Sequence, residues 1–299
     1  MMNRLLFIYN PTAGKGQIHS SLPDVLDQFT KMGYLVTAYP TQHKGDAITA
    51  AATLSPGFDR VVCSGGDGTL SETAAGLMRL PPDQRRPLGY IPAGSTNDCA
   101  NNLHLPSGAV ACAQVACGDI LRPCDMGLLH GHPFFYVAAF GAFTDVAYDT
   151  PQDLKKTFGH LAYIIAALGS LSSITSYPLT IEYDGGVIEG KFLLGLVCNT
   201  FSVGGIKALP PDKVALDDGL FEVILLRMPK TMNDLNQLAQ TIFQQKPVEG
   251  NALTVLRTSR LTITSESSLP WTIDGEYGGS YLRSEIENRP RAITTIQGE

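Results

Sequence analysis

Four carboxylates in this chain sit where phosphate chemistry could use them. Asp67 lies in the run VVCSGGDGTLSETAAGL, set among glycines between a strand-like and a helix-like stretch. Asp125 lies in RPCDMG, and Asp274 and Glu276 close the run WTIDGE. Around Asp67, the glycines at 65, 66 and 68 are expected to permit positive φ and to let a ligand approach bare main chain. A buried strand ending at Ser64 and a helix starting near Leu70 would turn the amides of Gly68, Thr69 and the first helical turn outward, a natural seat for phosphate. The same residues would also suit a tight strand–helix turn that binds nothing. Two familiar phosphate motifs are excluded. A Walker A loop fails because NPTAGKGQ has Tyr9 where its first glycine belongs and Gly16 after the lysine. The dinucleotide fingerprint fails because Ser71 stands where its third glycine or alanine should be.

A carboxylate beside bound phosphate has little reason to be there unless Mg²⁺ bridges them, which makes Asp67 a candidate metal partner. Asp274 and Glu276 are two residues apart and would share a face if their segment were extended, although Asp-Gly between β-like runs is equally a favoured hairpin turn. In ALDDGLFEV, Asp218 precedes a glycine turn, and the carbonyls of Ala215 and Leu220 could join it around a hard cation; a solvated acidic turn is the alternative.

Two more loops belong with the glycine run. NPTAGKG follows a strand and offers Asn10, Thr12 and the pliable Gly14–Gly16, while YIPAGSTNDCA places Gly94, Ser95 and Asn97 at the start of a helix. In an open α/β sheet, ligands bind beyond the carboxyl ends of the strands, so the three loops are expected to face one crevice.

The elements that would carry them alternate through the first 125 residues. Strands are expected at Leu5–Tyr9, Tyr34–Tyr39, Arg60–Cys63 and LGYIP. Helices are expected at Leu22–Met32, Asp46–Leu54, Leu70–Arg79 and Val110–Ala116. Such alternation predicts a doubly wound parallel sheet, an α/β fold. After Cys124 the runs FFYVAAF, LTIEYDG, FLLGLVCNT, LFEVILLRM, RLTITS and WTIDGE predict an all-β domain, an antiparallel β-sandwich, over 126–287. Helical stretches at Leu154–Ser172 and Met232–Gln245 interrupt it, and residues 288–299 are expected to pack back on the first domain. The 154–172 stretch, with Lys155 and Lys156 before an apolar run, suits either a bilayer surface or packing against its own domain.

Bulk properties narrow the partners. The 299 residues carry a net charge of −6, with 44% hydrophobic and 17% charged residues. A folded chain without a global basic field follows, and nucleic acid is excluded as a partner. The six cysteines form no C-x-x-C pair and the six histidines no metal spacing, which points to a reduced, cytoplasmic protein. The apolar run at the start is too short for a signal-peptide core, and no stretch is long enough to span a bilayer. One chain and a homodimer both stay open.

The segments NPTAGKG, GGDGTLSE, PLGYIPAGSTND, LDDGLFEV and IDGE, in that order, resemble the bacterial diacylglycerol kinase family of soluble lipid kinases over nearly the whole chain. GGDGT alone is shared with NAD kinases; the combination is far more selective. The resemblance implies an N-terminal nucleotide-binding domain, a C-terminal β-sandwich and an active site in the cleft between them. The implied reaction is transfer of the ATP γ-phosphate to a lipid hydroxyl, turning diacylglycerol into phosphatidic acid. Position by position it implies nucleotide contacts at Asn10, Pro11, Thr12, Ala13, Gly14, Thr41, Gly65, Gly66, Asp67, Gly68, Thr69, Leu70, Ser71 and Ser95. It further implies Glu276 as proton acceptor, Asp67, Asp125 and Asp274 in a carboxylate–water–Mg²⁺ network, and a structural metal at Ala215, Asp218 and Leu220. Transient contact at the inner membrane face would deliver the lipid. Cys99 departs from the family, where many relatives carry Phe after Asn-Asp. The alternatives are a kinase of a soluble substrate, NAD kinase-like, and a non-catalytic nucleotide-binding regulator.

Overall fold

The computed structural model describes residues 2–94, 97–141, 175–200, 202–203, 206–207, 215–227 and 253–298. The chain divides into two units, one formed by 1–126, 216–218 and 289–299, the other by 127–215 and 219–288. The helical stretches expected at Leu154–Ser172 and Met232–Gln245, with Lys155 and Lys156, lie outside the described residues, as does Ser95.

In the first unit the order is β1 (Asn3–Tyr9), α1 (Gln17–Lys31), β2 (Tyr34–Pro40), α2 (Asp46–Leu54), β3 (Arg60–Gly65), α3 (Asp67–Met78), β4 (Leu88–Pro92), α4 (Asp98–Asn102), α5 (Ala109–Ala116) and the start of β5 (Leu121–Leu129). The strands lie side by side as β2-β1-β3-β4, every pairing parallel. Such a sheet needs apolar residues on both strand faces, and Leu5, Leu6, Phe7 and Ile8 are all fully buried. Leu5, Phe7 and Val62 pack with Val25 and Phe29 of α1 and with Ala113 and Ala116 of α5. Cys63, next along β3, points to the opposite face and meets Thr73 of α3. Buried Arg60 donates to the carbonyls of Ala116 and Gly118 at 3.0 and 2.9 Å, placing a cation at the carboxyl end of α5.

Helix α2 has the expected bounds. Helix α1 begins at Gln17, five residues before the expected Leu22, straight after Gly16 in the left-handed region, and it carries Pro23 inside. Helix α3 begins at Asp67 rather than near Leu70, so Gly68 is helical.

The second unit is antiparallel. It contains the rest of β5, then β6 (His132–Phe134), β7 (Val137–Gly141), β8 (Tyr177–Tyr183), β9 (Gly186–Cys198), the short ribbon β10 (Ser202–Val203) and β11 (Ile206–Lys207), β12 (Phe221–Arg227), β13 (Leu253–Thr258), β14 (Arg260–Ile273) and most of β15 (Glu276–Ile296). Strands β9 and β14 are both long, and β7 and β8 each pair with both of them. Strand β8 joins β9 at 186–192 to β14 at 261–265, whereas β7 joins β9 at 194–198 to β14 at 271–273. RLTITS and the Trp271–Ile273 start of WTIDGE, separate runs in the sequence, are thus two ends of one strand whose register slips between Thr264 and Leu269. The core is built on Trp271, whose ring meets Phe140 edge-on at 5.1 Å and whose Nε1 donates to Ser284 Oγ at 2.8 Å.

Strand β15 leaves the second unit after Asn288. Its last residues belong to the first unit, where Thr295 lies alongside Leu88 in parallel.

Candidate active site

Where the parallel strands of the first unit end, their hydrogen bonding continues one residue further. Thr41 N–H donates to the Tyr9 carbonyl (2.9 Å), Asn10 N–H to Ser64 (2.8 Å) and Ala93 N–H to Gly65 (2.7 Å). The loops after β1, β2, β3 and β4 therefore leave the sheet at one level. Asn10 closes its own loop, Oδ1 accepting from the backbone and hydroxyl of Thr12 at 2.9 Å each, and Gly14 and Gly16 adopt positive φ of 55° and 78°. Pro11, Thr12 and Ala13 lie on this turn.

The glycine run behaves differently from the expectation. None of Gly65, Gly66 and Gly68 has positive φ. At Gly65, and at Gly94 in the loop opposite, small size serves close approach between parts of the protein. A Cβ on Gly65 would collide with the Thr69 side chain, and one on Gly94 would stand 2.6 Å from Gly66 Cα. Two loops thus touch backbone to backbone. Asn97, itself at φ 54°, holds the second, with Oδ1 accepting from Gly94 N–H at 2.8 Å and Nδ2 donating to Gly94 O at 2.9 Å.

Because α3 starts at Asp67, its outward first-turn amides are those of Asp67 and Gly68. Thr69 and Leu70 N–H both turn back to the Gly66 carbonyl, at 3.0 and 3.3 Å. Leu70 is fully buried and belongs to the core, and Ser71 is half-buried one turn on.

Asp67 reaches across to α4, its carboxylate accepting from the N–H groups of Asp98 (3.0 Å) and Cys99 (3.2 Å). Burial raises the Asp67 pKa, opposed by those two hydrogen bonds and reinforced by the nearby charge of Asp98. Asp98 is 4% exposed. Sequence reasoning passed over it as one residue of a turn into a helix. It also passed over Glu72, whose Oε1 accepts from Gly45 N–H at 2.8 Å. The available signal was that Glu72 is the only charged side chain in α3 besides Asp67.

Asp125, fully buried in β5, accepts from Arg291 N–H through Oδ1 at 2.7 Å, and its own N–H donates to the Leu216 carbonyl at 2.7 Å. Arg291 has φ 51° and pairs with Asp217 at 3.7 Å. The buried acid thereby gathers the tail and the 216–218 turn within the first unit. Asp218 is exposed, followed by Gly219 at φ 78°; Ala215 is exposed and Leu220 half-buried. Among the described residues no three His, Cys, Asp or Glu side chains cluster as a metal site. A site of one carboxylate and two carbonyls is of another kind, and its all-oxygen donor set fits a hard cation such as Mg²⁺.

In the second unit Asp274 and Gly275 form the two-residue turn between β14 and β15, with φ of 48° and 84°, the type I′ pattern, and Ile273 pairs with Glu276 across it. Of the two readings of this segment, the hairpin turn is the one observed: the chain reverses between Asp274 and Glu276, so they do not share one face of an extended strand. The Asp274 carboxylate accepts three backbone N–H groups, from Phe135 (2.6 Å), Tyr136 (3.0 Å) and Val137 (3.0 Å), and its own N–H donates to Val137 O at 2.8 Å. Glu276, half-buried, opens β15.

These features define a protein with an α/β unit whose strand-end loops are built around glycines and acids, followed by a β-rich unit. Residues 4–129 match the diacylglycerol kinase catalytic domain, and residues 139–297 the YegS C-terminal NAD kinase beta sandwich-like domain. The chain is 34% identical to a diacylglycerol kinase of Bacillus subtilis (strain 168), covering 99% of this chain and 96% of that one. It is 35% identical to a diacylglycerol kinase of Staphylococcus haemolyticus (strain JCSC1435), over 96% and 86%. A Bacillus anthracis str. Sterne crystal structure, assigned provisionally as a diacylglycerol kinase, has the same fold, with TM-score 0.85, 24% identity and coverage of 99% and 96%. The chain belongs to the bacterial diacylglycerol kinase family.

Proposed function

We propose that the protein transfers the γ-phosphate of ATP to a lipid hydroxyl, converting diacylglycerol to phosphatidic acid. The observation that carries the reading is the common level of the loops after β1 to β4, with the outward amides of Asp67 and Gly68 among them. Backbone amides at a helix N-terminus are suited to phosphate oxygens. The nucleotide contacts are then Asn10–Gly14, Thr41, Gly65–Ser71 and Ser95, with Leu70 acting through its place in the core. Family membership supports a lipid as acceptor.

In the reaction the lipid hydroxyl oxygen bonds to the γ-phosphorus, the bond from that phosphorus to the bridging oxygen breaks, and ADP leaves. Glu276 takes the hydroxyl proton as general base. Asp274, whose carboxylate accepts three amides, holds the turn that presents Glu276 and would join the Mg²⁺ network through water. Asp67, with its neighbour Asp98 and buried Asp125, would hold Mg²⁺, which would offset charge building on the transferring phosphoryl group. The Asp218 turn, with the Ala215 and Leu220 carbonyls, would hold a structural Mg²⁺. The lipid is collected by transient contact with the cytoplasmic face of the membrane.

A soluble acceptor is the second reading, favoured by the NAD kinase-like description of residues 139–297. Incubating the protein with radiolabelled ATP and Mg²⁺ against diacylglycerol, other lipid alcohols and NAD, then extracting into organic solvent, separates the two. Label in the organic phase with diacylglycerol is expected; label confined to water, or carried by NAD, overturns the proposal. Glu276→Gln should lower kcat by about 10²–10⁴-fold with folding unchanged.

A further inference from the structure

We propose that Glu72 is a positioning residue for the nucleotide, fixing the Thr41–Gly45 loop to helix α3 so that both present one binding edge. The inference rests on the nucleotide-binding reading above.

The loop between β2 and α2 is held at both ends by carboxylates from different directions. Asp46, 6% exposed, accepts from Gln42 N–H through Oδ2 (2.8 Å) and from the Tyr39 hydroxyl through Oδ1 (2.9 Å). Glu72 accepts from Gly45 N–H, 27 residues away in sequence. The Gln42 side chain adds a bond from Nε2 to the Pro40 carbonyl at 2.9 Å. Thr41 heads this loop, and its N–H bond to Tyr9 sets it beside Asn10.

Capping α2 does not by itself require Glu72. Asp46 already places an acid in the first turn of that helix, where a negative charge is favoured. What Glu72 adds is a link between elements: α3 offers the Asp67 and Gly68 amides from its first turn and grips the Thr41 loop from its second. Binding groups on separate loops act together only if their spacing is fixed before the ligand arrives. Glu72 supplies that spacing.

The test uses the full chain carrying Glu72→Gln, which is nearly isosteric and keeps an acceptor oxygen, and Glu72→Ala, which keeps none. Affinity for the β,γ-imido analogue of ATP is measured calorimetrically with Mg²⁺, alongside melting temperature and turnover on dioctanoylglycerol in mixed micelles. Glu72→Ala should weaken the analogue by about tenfold and Glu72→Gln by less. The KM for ATP should rise in the same order, with kcat and the lipid KM within about twofold of wild type. The proposal is overturned if both variants bind the analogue as wild type does. It is equally overturned if affinity, kcat and lipid KM decline together in step with melting temperature, the mark of a merely structural cap. Should Glu72→Ala fail to fold, the affinity of Glu72→Gln decides. A wild-type chain that binds the analogue but phosphorylates no lipid removes the acceptor assignment, and the binding ratio still decides Glu72. A wild-type chain that binds no analogue overturns both.

Discussion

Two aspartates of the β-rich unit show how one side chain can hold several strands. Asp274 sits at positive φ, which Asp and Asn tolerate better than most residues, and it satisfies three amides of 135–137 at once. Asp274→Ala strands those donors and should destabilise the protein by about 3 kcal/mol, with Asp274→Asn intermediate, read from urea unfolding midpoints. Asp184 is different. It accepts from Ser259 (N–H 2.8 Å, hydroxyl 2.7 Å), from the Thr258 hydroxyl (3.0 Å) and from Arg260 Nε (3.1 Å), and these bonds, led by the Ser259 hydroxyl, push its pKa far below the ordinary carboxylate value. A depressed folded pKa means the stabilisation is complete above the unfolded value near 3.8 and disappears as pH falls toward the folded one. The stability gap between wild type and Asp184→Asn should therefore be steady from pH 7 to about 5 and shrink on further acidification, measured by denaturant titration at each pH. The carboxylates of the motifs were legible in the sequence, but their partners were not. Nothing in TIDGE says that its aspartate will find amides almost 140 residues upstream.

Among the elements, α2 has the bounds its pattern predicts because Ala47, Ala50 and Ala51 recur at helical spacing and form its buried stripe. Helix α3 begins earlier than its glycines suggest. Glycine is required instead at Gly65 and Gly94, where neighbouring atoms crowd, a three-dimensional demand with no local signature. The crowding is one-sided, which makes it testable. A Cβ on Gly94 would meet Gly66 Cα at 2.6 Å, whereas a Cβ on Gly66 would have Gly94 Cα at an ordinary 3.5 Å. In the nucleotide-free protein, Gly94→Ala should cost about 1–3 kcal/mol of stability and Gly66→Ala less than 1 kcal/mol, compared by thermal melting. Equal effects would mean that the loops separate easily.

At the scale of the molecule, all six cysteines are free and buried. Burial raises the thiol pKa of Cys63 to about 12 and those of Cys112 and Cys117 to about 11, and lifts Cys198 further still. A disulfide-exchange thiol reagent should label almost none of them in the native protein at pH 8 and all six after denaturation. The parallel and antiparallel halves were legible from texture alone, since alternating elements and turn-punctuated strands differ along their whole length. The placement of 216–218 with the first unit was not, because it depends on a buried hydrogen bond from Asp125 to Leu216.

Strand β15, begun in one unit and ended in the other, bears on how the protein is made. Arg289–Glu299, which carry the buried Ile293 and Ile296, leave the ribosome roughly 160 residues after Met126. At ordinary translation speeds the nascent N-terminal part must wait about 10–30 s for its final segment. Throughout that interval its apolar surface is open to chaperones, and a stalled or clipped message would yield an incomplete half rather than an independent one.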